Sequence, residues 1–459
     1  MNLPDRSRLA EVVAEERERY RSSHPRSLQA ASEALHLLAG VPMTWMAKWA
    51  GGFPLQLASA EGATLRDLDG HAYADFCLGD TGAMAGHSPA ATMEAVRRRL
   101  LEEGGATAML PSEDAELAAA ELSRRFGLPL WSFSLSATDA NRWAIRIARH
   151  VTKRPKILVF NWCYHGSVDE TVVGLAGGRV VAREGNVGAP VEPSLTTRVV
   201  EFNDVEGLER ELATGDVAAV LAEPALTNIG IVLPDGGFHQ TLRELTRATG
   251  TLLVIDETHT ISAGPGGATR AWALEPDILT VGKAIAGGIP TGAFGMSAEL
   301  GERLLSDPDA DLVDVGGIGG TLAGNALSTA ATRATLCGVL TDEAFSSMIT
   351  LAERYESGVA ATLERAGLPW TVTRLGARAE FRYRSPAPRS GAESAAADDP
   401  LLDEWFHLYL ANRGVLLTPF HNMALMCPAT TTGQVDSLIE AFADAVAALP
   451  TMDSRTDNG

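Results

Sequence analysis

Two charged residues stand directly after apolar runs in the middle of the chain, and together they have the chemistry to act on a carbonyl group. Asp256 follows the run TLLVI, and Lys283 lies between the run ILTVG and a glycine-rich turn. A buried carboxylate can hold a protonated ring nitrogen, and a lysine amine removed from water is a nucleophile for Schiff-base formation. Taken singly, Asp256 is more often a helix-capping or turn residue and Lys283 a surface residue. Their pairing, 27 residues apart, favours a joint catalytic site.

Two further segments follow short apolar runs and have the residue types of a ligand site. SLSATDAN, at 134–141, opens a predicted helix, where small hydroxyl side chains and backbone amides suit a phosphate. Tyr164-His165-Gly166 follows KILVFNWC, and an aromatic ring beside a glycine can stack on a planar molecule. An ordinary helix cap and a packed tyrosine are the simpler interpretations of each segment alone. Their combination with Asp256 and Lys283 is what makes them informative.

The elements that must position these residues are short, continuous apolar runs separated by helical patterns. The runs lie at 156–160, 217–222, 251–255 and 278–281, and helical periodicity occupies 139–150 and 237–249. Strands that are apolar throughout and alternate with helices predict a mostly parallel sheet covered on both faces. Ligands bind at the carboxyl ends of the strands in such sheets, which is where the polar residues stand. The predicted fold class is therefore α/β.

The chain is too long for one ordinary core, so we expect it to divide into domains. We predict a large domain over 64–342, which contains the site, and a smaller α+β C-terminal domain over 343–450. Residues 1–63 are expected to pack on the small domain as an N-terminal segment, and 451–459 to form a disordered tail.

Composition argues against several classes of protein. The 459 residues carry 38 Lys+Arg against 58 Asp+Glu, a formal net charge of −20, and such an acidic surface disfavours nucleic-acid binding. No apolar run reaches the roughly 18 to 20 residues of a membrane span, and the N-terminus lacks the apolar stretch of a signal peptide. The four cysteines are far apart and the histidines are not clustered, which argues against disulfides and a structural zinc site. We therefore expect a cytoplasmic protein without a bound metal or membrane partner.

The ordered motifs of the chain resemble those of a known enzyme family. SATDAN, YHG, EPALTN, DETHT, VGKAIAGGIP and GTLAGNALS are similar, in this order, to the class III (subgroup II) aminotransferases of fold type I. The resemblance runs from about residue 28 to about residue 449 and is strongest to the glutamate-1-semialdehyde aminomutase and β-amino acid transaminase branch. It implies a fold type I PLP-dependent transferase, with pyridoxal 5'-phosphate (PLP) as its cofactor and a homodimeric assembly whose sites are shared across the interface.

The resemblance also implies a role for each residue that matches a motif of the family. Lys283 is the lysine that forms the Schiff base, and Asp256 is the partner of the pyridinium nitrogen. Tyr164 covers one face of the cofactor ring, and Thr258, where the family usually has Val, lies against the other. The remaining implied cofactor-binding residues are Ser136, Ala137 and Thr138 at the phosphate, Thr321 at the phosphate of the neighbouring subunit, and His165, Glu223 and Asn228 without a firm role.

The substrate contacts are where the chain departs from the family it resembles. Trp45 stands at or beside the position where the aminomutase branch usually has an Arg. Thr81 falls where that branch has Ser-Trp-Gly, and His421 lies near an Arg position of the β-amino acid enzymes. Arg378 is the candidate replacement for binding a substrate carboxylate, because a guanidinium can bind one through two hydrogen bonds. An ion pair with Glu380 explains Arg378 equally well.

The activity that the resemblance implies is transamination. The amino group of a primary amine or a β- or ω-amino acid would pass to a keto acid or aldehyde, with pyridoxamine phosphate as the carrier. An aminomutase is the alternative, although the missing Arg near Trp45 argues against the standard glutamate-1-semialdehyde substrate. A racemase or decarboxylase on the same scaffold stays open. A PLP-fold binding subunit without catalysis is disfavoured because Lys283 and Asp256 are both present.

Overall fold

The computed structural model describes residues 4–188 and 191–450, and within these the chain forms two compact units. The terminal unit consists of the residues up to Asp80, Ser347–Ala387 and the residues from Ala397 onward, and the central unit consists of Thr81–Ser346 and Pro388–Ala396.

The strands in chain order are β1 Leu57–Glu61, β2 Thr64–Asp67, β3 Ala72–Asp75, β4 Leu130–Ser134, β5 Lys156–Phe160, β6 Val173–Ala176, β7 Arg179–Ala182, β8 Thr197–Val200, β9 Val217–Ala222, β10 Leu252–Asp256, β11 Ile278–Val281, β12 Gly292–Met296, β13 Thr371–Leu375, β14 Arg378–Arg382, β15 Val415–Leu416 and β16 Met423–Leu425. The α-helices are α1 Arg6–Ser23, α2 Pro25–Glu33, α3 Ala90–Arg98, α4 Glu113–Phe126, α5 Ala137–Thr152, α6 Val205–Leu212, α7 Phe238–Thr249, α8 Gly267–Ala271, α9 Ala298–Leu305, α10 Ala326–Gly338, α11 Asp342–Ala366, α12 Gly391–Ala395, α13 Pro400–Ala411 and α14 Thr432–Ala447.

The core of the central unit is a seven-stranded sheet in the order β4-β12-β11-β10-β9-β5-β8. Pairing is parallel from β11 through β10, β9 and β5 to β8, whereas β12 is antiparallel to both β11 and β4. Every residue of β9, β10, β11 and β12 is buried, as strands covered on both faces require. The helix α5 packs against β9, β11 and β12, and α7 packs against β10. The prediction of an α/β fold with a mostly parallel sheet is confirmed.

The terminal unit contains two smaller sheets, β1-β2-β3-β15 and the antiparallel β13-β14-β16. Its core includes the rings of Phe381, Phe406 and Phe442, whose centroids lie 4.9 to 5.2 Å apart. The helix α13 packs against both α1 and α14, so the first helix of the chain and its last helices belong to one core. None of the described helices is long and apolar enough to cross a membrane.

The first predicted domain boundary, at residue 64, is placed differently by the structure. β2 and β3 pair with β1, and β3 pairs in parallel with β15, so 64–80 belong to the terminal unit. This pairing joins segments that are far apart in the chain, which no local pattern reveals. Residues 388–396 belong instead to the central unit, where Arg389 forms an ion pair with Asp235. The predicted tail at 451–459 lies outside the described residues.

Candidate active site

Three polar residues stand at the carboxyl ends of neighbouring parallel strands in the central unit. Glu223 directly follows β9, Asp256 is the last residue of β10, and Lys283 comes two residues after the end of β11. Because β10 lies between β9 and β11 and is parallel to both, the three residues meet at one edge of the sheet. The sheet therefore brings together residues that are up to 60 positions apart in the sequence.

Asp256 is a buried carboxylate held by three hydrogen bonds. Its Oδ2 accepts from His165 Nδ1 at 2.9 Å and from Asn141 Nδ2 at 2.8 Å, and its Oδ1 accepts from the Thr258 backbone N–H at 3.0 Å. Burial would raise the pKa of Asp256, but its bonds to His165, Thr258 and Asn141 outweigh burial and lower that pKa to about 2. The carboxylate is thus ionised at neutral pH in the interior of the unit.

His165 is the cation of this network. Burial alone would lower the pKa of its imidazole, but its contacts with Cys163 and Asp256 outweigh burial and raise the pKa well above the usual value. Nδ1 donates to Asp256, and the His165 backbone carbonyl accepts from Asn141 Nδ2 at 3.1 Å. The resemblance gave His165 no firm role, whereas the structure shows that it orients Asp256.

Asn141 is a member of the site that the sequence analysis did not single out. Its Oδ1 accepts from Thr280 Oγ1 at 2.7 Å, while its Nδ2 donates to Asp256, so the residue links β10, β11 and α5. Asn141 is fully buried on a face of α5 that otherwise carries Ala140, Ala144 and other small or apolar residues. A buried amide on an apolar helix face must find hydrogen-bond partners, and this pattern is the signal that could have identified it.

Lys283 begins a short 3-10 turn in a left-handed backbone conformation, with φ +50°. Such a conformation costs a residue other than glycine roughly 1 kcal/mol or more and is found preferentially at functional sites. The Lys283 Nζ lies 2.5 Å from His259 Nε2, and the lysine side chain is partly buried. Asp256 and Thr258 of the motif DETHT were predicted as site residues, whereas His259, the next residue, was not. The available signal was its place in this short, wholly polar motif directly after a buried strand.

The start of α5 is packed against both neighbouring motifs. A Cβ on Gly282, directly before Lys283, would lie 2.9 Å from the Ala137 Cβ and 3.0 Å from its backbone nitrogen. A Cβ on Gly166 would lie 2.8 Å from the Thr138 Cβ and even closer to its hydroxyl. The two glycines therefore allow the segments around Lys283 and Tyr164-His165 to contact the first turn of α5.

The first turn of α5 keeps its backbone amides available. Ser136 is the N-cap: its hydroxyl accepts from the Asp139 N–H at 3.2 Å and donates to the Asp139 carboxylate at 3.0 Å. The N–H groups of Ala137 and Thr138 lie in the first turn, where a helix supplies no acceptor. Backbone amides at the positive end of a helix are a phosphate-binding arrangement.

The remaining residues on this side of the sheet are also partly or fully buried. Glu223 Oε2 accepts a short hydrogen bond from Thr227, and burial raises the pKa of Glu223. Asn228 Nδ2 donates to the Trp162 carbonyl at 3.4 Å, and Tyr164 is partly buried.

The polar atoms at this edge fit PLP. Three of the buried side-chain atoms that lack a hydrogen-bond partner in the described part of the chain belong to residues of this edge: His165 Nε2, Glu223 Oε1 and Thr258 Oγ1. Buried polar atoms are nearly always paired, so their clustering marks a place for a polar ligand. An ionised Asp256 suits a cationic ring nitrogen, the start of α5 suits a phosphate, and Lys283 suits a carbonyl. These are three of the polar groups of PLP.

Two predicted residues lie at turns of the central unit. Thr321 is exposed in the turn before α10, and its contact with the phosphate of a neighbouring subunit stays a prediction. Thr81 is fully buried with φ +79°, and Asp80 before it has φ +50°. A β-branched residue in the left-handed region is a genuine outlier, of the kind that structures hold at functional sites.

The other three predicted substrate residues lie in the terminal unit. The Trp45 ring packs edge-on against Phe420 at 5.4 Å, and Phe420 in turn contacts the His421 ring at 5.1 Å. His421 Nδ1 lies 3.6 Å from Glu380 Oε1. Arg378 stands on β14, two positions before Glu380, with 1% of its surface exposed.

A mostly parallel sheet with a lysine, a carboxylate and an open helix start at its carboxyl edge defines a fold type I PLP-dependent enzyme. The family model for class-III aminotransferases matches residues 45–446, so the chain belongs to the class-III aminotransferase family, which uses PLP.

Named relatives fall within the branch that the sequence resembled. The chain is 33% identical over 401 residues to a glutamate-1-semialdehyde 2,1-aminomutase of Gemmatimonas aurantiaca, covering 87% of this chain and 90% of the relative. A glutamate-1-semialdehyde-aminomutase of Pseudomonas aeruginosa PAO1 is 49% identical with a TM-score of 0.94, covering 97% of this chain and 99% of that one. A variant of that enzyme is known in complex with PMP. A β-phenylalanine aminotransferase of Variovorax paradoxus is 27% identical with a TM-score of 0.86, covering 97% of this chain and all of that chain.

Proposed function

We propose that the protein is a PLP-dependent aminotransferase that moves an amino group from a primary amine or a β- or ω-amino acid to a keto acid or aldehyde. The single observation that supports this most strongly is the network in which Asp256 is ionised and held by His165 and Asn141 at the edge where Lys283 stands. A scaffold that had lost catalysis would have no reason to keep a buried, oriented carboxylate beside a lysine.

The cofactor, when bound, supplies an electrophilic carbonyl and a ring that withdraws electrons from the substrate carbon. Asp256 holds a proton on the ring nitrogen, since its ionised Oδ atoms accept hydrogen bonds and carry the opposite charge. The Ala137 and Thr138 amides bind the phosphate, with Ser136 fixing the helix start. Tyr164 and Thr258 would lie against the two faces of the ring. The Lys283 Nζ would hold the cofactor at its carbonyl, and the lysine amine would remove and return the proton at the substrate carbon.

His259 has a place in this scheme because of its contact with Lys283. Its Nε2 lies 2.5 Å from the Lys283 Nζ, within hydrogen-bonding distance. A histidine ring can accept a proton from the lysine or orient the amine while the amine is neutral. We therefore include His259 among the residues that position Lys283.

The proposed donor class rests on the substrate candidates of the terminal unit. Trp45 stands at or beside the position where the aminomutase branch usually has an Arg, and its ring packs against Phe420, which supports an aryl or alkyl group rather than a carboxylate at that end of the substrate. Arg378 is the candidate for binding a carboxylate of the acceptor or of an amino acid donor. Thr81 and His421 are proposed to contact the substrate as well.

An aminomutase is the second candidate function. The names of the relatives at 33% and 49% identity favour it, because both are glutamate-1-semialdehyde aminomutases. An aminomutase moves nitrogen within one molecule and needs no external acceptor, and the same residues would act in the same roles.

The visible absorption spectrum of the purified, PLP-loaded protein tests the two candidates. We expect the cofactor band to bleach when one primary amine or β- or ω-amino acid is added without any acceptor, because the amino group then stays on the enzyme. An aminomutase would instead convert glutamate-1-semialdehyde without an acceptor and finish with its starting spectrum. The absence of any cofactor band after incubation with PLP would refute both proposals.

A further inference from the structure

Among the residues that the structure describes, one group of histidine and carboxylate side chains could hold a metal ion. His24, Asp67 and His71 bring one ligand atom each to within 4.8 Å of the others, all in the terminal unit. His24 lies between α1 and α2, Asp67 ends β2, and His71 lies just before β3. Asp67 and His71 are only four positions apart, but His24 lies far from both in the sequence. The spacing of the histidines therefore argued against a zinc site. We propose that these residues form a Zn²⁺ site.

The two distances from Asp67 to the histidines agree with tetrahedral zinc. Asp67 Oδ2 is 3.4 Å from His24 Nε2 and 3.1 Å from His71 Nδ1. Bonds of about 2.0 to 2.1 Å to a tetrahedral zinc ion place its ligand atoms roughly 3.3 Å apart. The Tyr73 hydroxyl lies at hydrogen-bond distance from both, 2.9 Å from Asp67 Oδ2 and 2.6 Å from His24 Nε2, so it orients these two ligands, and a water molecule would complete the tetrahedron. Two imidazoles with a carboxylate are a donor set that zinc accepts.

The orientation of His24 supports a cation at this point. Its Nδ1 lies 2.5 Å from the Tyr20 backbone carbonyl, an acceptor only, so Nδ1 carries a hydrogen, and in the neutral ring Nε2 presents its lone pair. His24 Nε2 and Asp67 Oδ2 then face each other as acceptors, and the single Tyr73 proton satisfies one of them. Histidines that bind metals are commonly held in this way, through a carbonyl on the other ring nitrogen. A zinc ion satisfies both acceptors at once.

The cluster is open to solvent on one side only. His24 and Asp67 are each 2% exposed, whereas the His71 side chain is 43% exposed. An ion can therefore enter at His71 and reach ligands that are already in place, since the Asp67 Oδ1 is fixed by the His71 backbone N–H at 2.8 Å. Bound zinc would link the α1–α2 junction to β2 and β3 and stabilise the folded terminal unit.

Metal titration of the full-length PLP-loaded protein, purified without a histidine tag and treated with a chelator, tests this site. We expect one Zn²⁺ per chain by calorimetry, a rise in Tm, and intense visible bands of a tetrahedral complex when Co²⁺ replaces zinc. His71→Ala should weaken binding roughly 100-fold, and Tyr73→Phe about 10-fold, with the cofactor spectrum unchanged. His36→Ala, at an exposed histidine of the same unit, is the matched control and should leave binding unchanged.

Three outcomes would overturn the proposal. These are no stoichiometric binding to the wild-type protein, equal loss of affinity in His71→Ala and His36→Ala, or the weak bands of octahedral Co²⁺. The cobalt spectrum needs no variant, so it decides the matter even if a substitution prevents folding. The cluster would then be a hydrogen-bond network without a metal ion.

Discussion

The carboxyl edge of the central sheet and the strand β14 of the terminal unit both bury charged residues, but they differ in how the chain presents them. At the edge, Asp256 stands where a parallel strand ends, and its three hydrogen-bond donors come from α5, the strand-end motif of His165 and its own turn. On β14, Arg378 and Glu380 alternate within a fully buried antiparallel strand.

This difference in position explains which functional residues can be recognised from the sequence. The end of a strand in a parallel sheet is where ligands bind, so a polar residue there is informative by position alone. For a charged residue inside a strand, the sequence predicts only the face of the sheet on which it lies, because side chains alternate between the two faces. The pattern does not predict its binding partner. Ion pairing and substrate binding both account for a buried Arg378 on β14, and the two roles predict different effects of its substitution.

Replacing Lys283 is expected to reduce turnover more than any other substitution. A small effect would contradict the view that a polar residue at the end of a parallel strand marks the active site. Lys283→Ala removes the only group proposed to move the substrate proton, so turnover should fall by about 10³-fold or more. Single-turnover absorption measurements with an amine donor check this. Lys153→Ala, an exposed lysine of the same unit, serves as the control. Turnover within tenfold of wild type in Lys283→Ala would remove the lysine from the mechanism.

The next largest effect is expected at Asp256. Asp256→Asn keeps the shape of the side chain but removes the charge that holds the ring proton, so kcat should fall about 10²- to 10³-fold. PLP should still bind through Lys283 and the start of α5, which the visible spectrum and cofactor content will show. Asp277→Asn provides a control, because Asp277 pairs with Arg243 beside the same sheet. Equal loss in both variants would mean that the effect is structural.

Much of the fold and part of the site could be predicted from the sequence for physical reasons. Strands buried on both faces must be apolar throughout, and β5, β9, β10 and β11 accordingly stood out as continuous runs. Asp256 and Lys283 were found because each directly follows such a run.

The parts that could not be predicted depend on contacts between distant segments. Asn141 forms hydrogen bonds to residues of β10 and β11, and His259 contacts Lys283. The strand β3 pairs with β15, which comes from the C-terminal part of the chain. His24 and Asp67 likewise meet only in the folded terminal unit. No local periodicity encodes these contacts.

Replacing Arg378 is expected to reduce activity less, and only for some substrates. The result decides whether this charged residue inside a strand binds substrate or only forms an ion pair. If Arg378 binds a carboxylate, Arg378→Gln should lower kcat/KM about 10- to 100-fold for acidic substrates through KM, and leave neutral amines unchanged. Arg374→Gln is the control, because Arg374 lies on the neighbouring strand β13 and pairs with Glu356 at 2.8 Å. A uniform loss for all substrates, accompanied by lower stability, would show that Arg378 is a structural ion-pair partner. Arg378→Lys tests whether charge without the guanidinium suffices.

The smallest expected effect concerns stability in acid and contrasts a buried carboxylate of the central unit with an exposed one of the terminal unit. The pKa of Asp256 is lowered from 3.8 to about 2, so its contribution to the free energy of unfolding is present above the unfolded pKa and lost as the pH falls through the folded pKa. That contribution is about 2 kcal/mol. Urea unfolding should therefore show the stability advantage of wild type over Asp256→Asn shrinking by about this amount from about pH 5 toward about pH 2.

The exposed comparison is Asp436, whose pKa is lowered by its pair with Arg354 on the surface of the terminal unit. Any pH-dependent difference between wild type and Asp436→Asn should disappear in about 1 M salt, because the Debye length there is roughly 3 Å. The difference at Asp256 should persist in the same salt, since its donors lie within the protein interior. If salt abolished both differences equally, the Asp256 network would be open to solvent, and the proposed rigid hold on the ring nitrogen would lose its basis.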